Sequence, residues 1–560
     1  MRTLQRFALL SATLAMLVST FCFAQNATTS LRGTVADPQS AVVQGASATL
    51  SNVNTGFSQS TTTDDNGYYQ FLQIPPGTYS LTVSKPGFGT LKEDNLQLLV
   101  DVPATSNITL RVQAETSTVE VTAVGAQVNS EDASLGNAFG TSQIEALPFE
   151  GRDPTQILSL QPGVTYVGTN VDQTHDSRGG SVNGARSDQT NIVLDGIDDN
   201  DQTKGFAFQG ALRSTLDSLQ EFRVTTNNSN ADAGRSSGAQ VALITKSGSN
   251  RFHGSVYEYN RNNVGEANDW FNKRAELQAG LPNVPGQLIR NTFGATFGGP
   301  IRKDRIFFFL AYEGQRTRES TQITRVVPSE NFRHGFLSYP CSSDPTCPTG
   351  GIETLTPQDV AKMDPNCTAN GTCPLGPGAD PAVLSLFQKY PAPNTLSAGD
   401  GLNFQGFTFP APIPGRLNTY IAKFDFNLTQ NHRVFVRGGL VGDNSAPSSA
   451  GPQFPGQPQS VTAVNTSKGL ITGYTATLSS TLVNNLRYGY IRQGTGEIGL
   501  QSRPYVQFGD HLDNLYAFTP TDTANVPVHN FVDDVTWVKG KHTLQFGGNL
   551  RIITKPNFER

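Results

Sequence analysis

Past about residue 250 the chain falls into segments of roughly ten residues with apolar side chains at every second position, joined by connections that are alternately tight and long. A transmembrane β-barrel demands that combination, because each strand turns one face to lipid and one to a wet lumen, with short turns at one rim and long loops at the other. In Tyr420–Leu428 the residues Tyr420, Ala422, Phe424, Phe426 and Leu428 share one face, and Ile421, Lys423, Asp425 and Asn427 the other. His542–Arg551 repeats the pattern, with Leu544, Phe546 and Leu550 opposite Thr543, Gln545, Asn549 and Arg551. Less regular copies are Phe252–Asn260, Asn291–Gly299, Arg305–Glu313, His432–Leu440, Gly469–Leu478, Leu482–Arg492 and Asn530–Val538, which makes nine predicted strands. The tight connections are Pro300–Asp304, Thr429–Asn431, Ser479–Thr481 and Lys539–Lys541; the long ones are Arg261–Arg290, Gly314–Asn418, Val441–Lys468 and Gln493–His529. A soluble β-sandwich has no reason to sort its loops in this way, and structureless loops of such length are uncommon inside compact domains.

The start of the chain supports export. Residues 1–24 have a basic beginning, an apolar middle and a cleavage site after Ala24, which reads as a secretory signal peptide. Ser19, Thr20 and Phe21 before Cys22 do not form a lipidation pattern, and no later apolar run approaches the length of a membrane helix. A closed barrel is the other way to satisfy backbone hydrogen bonds in lipid, so the expected location is the outer membrane. The formal charge of −5 becomes −7 without Arg2 and Arg6, and no basic cluster is present, so nucleic acid is not an expected partner.

Cys341, Cys347, Cys367 and Cys373 lie in the longest predicted external loop with spacing C-x5-C-x19-C-x5-C. An even number in an oxidising compartment favours two disulfides, whose connectivity the spacing leaves open; zinc is the alternative, although structural zinc sites prefer closer pairs. No cofactor and no catalytic residue is expected. Gly234–Gly238 fits G-x-S-x-G, but polar sequence precedes it and the strand-like Ala239–Lys246 follows, where a nucleophile elbow needs a strand and then a helix. There is no phosphate-binding loop, H-E-x-x-H or dinucleotide fingerprint.

In the amino-terminal half, Thr63–Phe88 reads as three short strands joined by turns at Asp65-Asn66-Gly67 and Pro75-Pro76-Gly77, with Tyr69, Phe71, Tyr79, Leu81 and Val83 inward. Together with Leu31–Leu50 these residues resemble the carboxypeptidase-regulatory-like domain, which implies a seven-stranded, transthyretin-like β-sandwich over residues 29–112. The resemblance brings no carboxypeptidase chemistry, since no histidine has Glu three positions on, and Asp64, Asp65 and Asn66 read as turn residues. Ser117–Val124 follows as an extended β-branched stretch suited to strand pairing with another protein.

Residues 129–250 mix helix and strand in the blocks Gln143–Val164, Arg178–Asp201, Leu216–Val224 and Ala239–Asn250. In that order they resemble the plug domain of TonB-dependent outer-membrane receptors, and Arg290–Gly314 and Val532–Arg551 resemble barrel blocks of the same family. The receptors most similar are those with an extra regulatory-like sandwich, sometimes called Oar-like. The resemblance implies a mainly β fold: sandwich, linker (113–128), mixed α/β plug (129–250) and, from 251 to 560, the first part of a 22-stranded barrel, since plugged lumens belong to barrels of about that size. Nine strands would leave open edges in lipid, so the expectation is a fragment of a longer receptor.

The resemblance also implies TonB as partner, pairing with a box placed at Ser117, Thr118, Val119, Glu120, Val121 and Thr122, outer-membrane lipid around the barrel, and import of an extracellular solute driven by the inner-membrane proton gradient. Oligosaccharide, peptide and metal chelate all suit the polar loops, where Trp270, Phe271 and Tyr390 stack on sugar rings or pack the loops. The alternative function is surface adhesion or matrix organisation without transport. Within the plug, the motif residues are Asp195 and Gly196, a D-G turn after Asn191–Leu194, and Thr245 and Lys246. The crowded Asp198, Asp199, Asn200 and Asp201 are expected to form a solvated turn that shapes the plug, with substrate or cation contact as the other reading.

Overall fold

The computed structural model describes residues 28–559 except 113–117, 123–132, 148, 150, 167–178, 204–209, 231–233, 235, 279–281, 342–346, 348–350, 366, 368–372, 374–377, 447–450, 502–504, 510, 540–541 and 555–556. The signal peptide and Ser117 lie outside the described residues.

The chain begins with a sandwich built from β1 (Thr29–Ala36), β2 (Ser47–Asn52), β3 (Phe57–Thr62), β4 (Tyr68–Ile74), β5 (Gly77–Ser84), β6 (Thr90–Leu98), β7 (Ala104–Thr105) and β8 (Ile108–Thr109). β1, β4, β7 and β8 form one sheet, and β3-β2-β5-β6 run in that order in the other. Alternation decides what lies between them: Leu31 and Val35 of β1, Tyr69 and Phe71 of β4, and Tyr79, Leu81 and Val83 of β5 are all buried in one core. The turn before β4 forms because Asp64 Oδ1 accepts the N–H groups of Asn66 and Tyr68 at 2.9 and 2.8 Å, and Gly67 takes a φ of 70°. The predicted linker strand is part of this body: β9 (Thr118–Thr122) extends the second sheet, parallel to β6, from Thr90↔Thr118 to Asp94↔Thr122.

The segment read from the sequence as the plug comprises β10 (Leu135–Gly140), α1 (Thr141–Ala146), a 3-10 turn at Pro154–Leu160, β11 (Val164–Tyr166), β12 (Gly180–Val182), β13 (Asn191–Leu194), β14 (Ile197–Asp198), β15 (Leu219–Asn227) and β16 (Gln240–Thr245). Its main sheet has the order β10-β15-β16-β13-β14, with β13 and β16 parallel.

The remaining strands are β17 (His253–Asn262), β18 (Leu288–Arg302), β19 (Ile306–Pro328), β20 (Leu337–Pro340), β21 (Ile352–Leu355), β22 (Phe404–Pro412), β23 (Gly415–Asn427), β24 (His432–Ser445), β25 (Val461–Asn465), β26 (Lys468–Ser479), β27 (Leu482–Gly499), β28 (Asp522–Lys539), β29 (His542–Ile553) and β30 (Asn557–Glu559). Except for the separate hairpin β20–β21, they form one antiparallel sheet of 12 strands among the described residues. Each of the nine predicted segments is one of them: β17, β18, β19, β23, β24, β26, β27, β28 and β29. Several strands outrun the prediction. β19 continues 15 residues past Glu313, pairing with β23 in its lower part and with β22 above, and β27 and β28 each reach 18 residues. The expected irregular loops Gly314–Asn418 and Gln493–His529 are thus partly strand, because hairpin pairing continues beyond the membrane thickness wherever a partner is available.

Outward-facing side chains are apolar: Leu310, Tyr420, Leu440, Leu470, Leu486, Phe531, Leu544, Phe546 and Leu550 are all exposed. Inward-facing ones are buried and many are polar or charged, including Glu313, Lys423, Arg437, Asn485, Arg487, Asn530 and Asp534. This arrangement, inverted relative to a water-soluble sheet, suits a barrel wall surrounded by lipid. No described helix is long and apolar enough to cross a membrane.

Candidate functional site

The plug lies against the inner face of the sheet, and its apolar core is continuous with Leu417, Val441, Ile471, Ile491 and Val532 of the wall. Three groups of polar contacts tie the two together. The first centres on Glu313 of β19, whose carboxylate meets Arg152 Nε at 3.1 Å and Arg213 at 3.2 Å and accepts the Tyr257 hydroxyl at 3.1 Å. Arg152 also pairs with Asp217 and stacks its guanidinium over Tyr257 and Tyr259, at 5.1 and 4.4 Å from the ring centres.

The second group centres on Asp195, in the turn between β13 and β14. Asp195 and Gly196 both have positive φ, 48° and 87°, which favours glycine at the second position, where a Cβ would also stand 2.7 Å from the Arg487 side chain and displace it. The turn delivers the carboxylate to Thr245, whose N–H and hydroxyl donate to it at 3.0 and 2.6 Å, and to the wall cations Lys423 and Arg437 at 3.6 and 3.8 Å. Burial pushes the Asp195 carboxyl upward, but Lys423, Arg437 and Thr245 together outweigh it and hold the group below its ordinary range. Lys246, one position on, faces the other way and pairs with Glu145 of α1 at 2.7 Å. The structure therefore joins Asp195, Gly196 and Thr245 in one site and separates Lys246 from it.

The third group corrects the expectation of a solvated acidic turn. Asp198, Asp199 and Asn200 are buried against the wall. Asp198 pairs with Arg551 at 2.5 Å, its N–H donates to Asn530, and Gln493 bonds both Asp201 and the Gln202 N–H. Asp199 accepts the Leu212 N–H at 2.8 Å, its Oδ2 is buried with no hydrogen-bond partner among the described residues, and burial holds this carboxyl well above its ordinary range. The Asx-rich run is polar because it meets a polar lumen. Arg437 and Arg551 are visible in the sequence only as polar members of alternating strands; their partners lie far away along the chain.

Beneath the plug, the sandwich sits at the rim of tight turns. The Asn250 N–H donates to the Asn54 carbonyl at 2.6 Å, Asn427 to that of Thr55 at 3.1 Å, and Gln73 to Thr536 at 3.0 Å, while Arg433 lies over the Phe57 ring at 4.6 Å. On the plug side Gln220 donates to the Pro76 carbonyl, and the Val100 N–H donates to Glu221 Oε1, both at 2.8 Å. Burial pushes the Glu221 carboxyl up to about 7. A cavity of about 200 Å³ remains between the three regions, bounded by Tyr79, Gln220, Asp195, Lys423, Arg433 and Phe435.

At the opposite rim the structure pairs Cys341 with Cys347 and Cys367 with Cys373. Tyr390 is packed in a loop core with Val327, Phe387 and Phe454, its hydroxyl on the Asp513 carbonyl at 2.9 Å, whereas Trp270 is exposed beside Arg274. Ser236, the serine of G-x-S-x-G, bonds the Gln189 carbonyl in a plug loop. Among the described residues no cluster of ligands suits a metal ion.

Residues 244–560 match the family described as outer membrane beta barrel domain, and residues 30–111 match the carboxypeptidase regulatory-like domain. The TonB-dependent transporter Oar of Myxococcus xanthus is 28% identical over 320 residues, which cover 54% of this chain and 28% of that protein. The solved structure of the outer membrane transporter YddB from Escherichia coli aligns with a TM-score of 0.45 at 12% identity, over 73% of this chain and 47% of that one. The siderophore receptor PirA from Acinetobacter baumannii aligns with a TM-score of 0.43 at 12% identity, over 74% and 47%. The chain thus spans about half the length of these solved structures and matches a smaller share of the curated relative.

Proposed function

Because this chain belongs to the outer membrane beta barrel domain family and so resides in the outer membrane, we propose that it is a TonB-dependent receptor that binds an extracellular solute and imports it with energy from the inner-membrane proton gradient. In this reading residues 29–112 are a periplasmic sandwich, 113–128 carry the TonB-pairing segment, 129–250 are the plug, and 251–560 contribute wall to a barrel of the size that holds a plug, about 22 strands. The observation that carries the proposal is the plug itself, seated against a polar inner wall by buried charge pairs centred on Glu313, Asp195 and Asp198. Separating the partners of such a pair leaves an uncompensated buried charge, which suits a part that stays shut at rest and moves under load.

The relative from Myxococcus xanthus is a transporter by name, and import is the activity proposed here. The solute is an oligosaccharide, a peptide or a metal chelate, bound by the long loops and the plug apex. Nothing is chemically transformed. The test is accumulation of a labelled panel of ferric chelates, oligosaccharides and peptides by cells carrying the receptor, with and without a protonophore. Accumulation that collapses with the gradient and is lost in Val121→Pro supports the proposal. Binding that persists without accumulation would replace it with adhesion.

A further inference from the structure

The sandwich has no role in the proposed mechanism so far, yet it holds the predicted coupling segment. β6 has one edge taken by β5 and the other by β9, with Leu91 opposite Val119 and Glu93 opposite Val121. The available edge is only as long as β9: at Asp94 and Asn95 the β5–β6 register shifts, Asn95 takes a φ of 61°, and the straight ladder stops. β6 is in turn held from the opposite sheet, where the Ser106 hydroxyl donates to Glu93 at 2.6 Å. β9 is the last strand of this sheet, and among the described residues nothing pairs with its outer edge.

A strand held on one edge presents a row of N–H and C=O groups on the other, and the chemistry that satisfies such a row is another extended backbone. Resting on the reading of residues 117–122 as the coupling segment, we propose that the sandwich displays β9 as a ready-made edge, onto which a strand of TonB adds directly without first pulling β9 off β6. Because β9 is already extended, a partner avoids the cost of ordering a loose linker. The same geometry places the sandwich in the path of force. A pull on β9 enters β6, and the sandwich is bonded to plug strand β15 through Pro76–Gln220 and Val100–Glu221.

The test clamps β9 in place. The double variant Leu91→Cys/Val119→Cys of the full chain, in detergent micelles, is oxidised, closure of the bond is read by mass spectrometry, and affinity for the purified periplasmic domain of TonB is measured before and after reduction, with the single-cysteine variants as controls. The expected result is closure, with oxidised and reduced affinities within about twofold of each other. Affinity that falls tenfold on oxidation and returns on reduction would overturn the proposal, since β9 would then have to be freed to bind. Failure of the cysteines to close, or amides of residues 118–122 that exchange as fast as an unstructured peptide, would overturn the docked position. Val121→Pro separates this from the underlying reading: TonB binding unchanged by that substitution removes residues 117–122 as the coupling segment, whatever the clamp does.

Discussion

The sandwich and the barrel wall are written in the same two-residue alternation and put opposite things inside. In β5 the inward set is Tyr79, Leu81 and Val83; in β23 it is Thr419, Ile421 and Lys423, while Tyr420 points out. The sandwich is surrounded by water and saves its apolar face for a core. The wall is surrounded by lipid, so apolar side chains are comfortable outside, and its inner face meets a plug whose own polar turns complete the charge pairs. Alternation therefore specifies a strand and its two faces, and the surrounding solvent specifies which face is buried.

Removing one member of a buried charge pair is the largest expected effect. Asp195→Ala leaves Arg437, which is 0% exposed, and Lys423 without their shared carboxylate; the expected loss is about 3–5 kcal/mol. It is measured as denaturant unfolding of the plug, and a loss below 1 kcal/mol would mean that the wall cations do not depend on it. Leu81→Ala in the sandwich, a fully buried side chain, should cost about 2–5 kcal/mol through transfer and cavity terms, without moving the barrel transition.

Leu486→Arg sharpens the contrast most directly, because on a water-facing strand it would be nearly harmless. On the exposed face of β27 it should cost about 2–4 kcal/mol in a bilayer, falling toward zero near the membrane surface. Stability in bilayers equal to that of the unsubstituted chain would contradict the assigned lipid face.

Glu221 probes the joint between the sandwich and the plug. Its carboxyl is raised to about 7 from an ordinary value of 4.5, so the folded state holds the proton more tightly than the unfolded one. The contribution is favourable at acid pH and is lost as pH rises from about 4 through 7, to a total of up to about 3 kcal/mol. Exchange of the Val100 amide, bonded to Glu221, should accelerate over that window, and Glu221→Gln should flatten the profile. The smallest effect is expected at the outer rim: Cys341→Ser/Cys347→Ser removes a closed loop with a sequence separation of 6, worth at most about 2 kcal/mol locally, with the barrel transition unchanged.

Legibility followed the range of the interactions. Nine of the twelve described wall strands are legible because alternation and turns are properties of neighbouring residues, and the inward faces of β4 and β5 are legible for the same reason. Burial of Asp198, Asp199 and Asn200 is not legible, because local chemistry is the same for a polar turn in water and one in a polar lumen. β22, β25, β30 and the upper half of β19 are not legible because those strands are stabilised by partners rather than by a strong pattern of their own.

The chain by itself determined its strands, its faces, its sorted loops and the residues of its turns, since each depends on contacts within a few positions. Tertiary structure alone decided that Asp195 meets Arg437 across 242 positions, that Cys341 and Cys347 pair, and that residues 118–122 lie along β6. The physical reason is that charge pairing and edge pairing recognise complementary groups wherever the fold brings them, and a sequence shows which groups exist before it shows which ones meet.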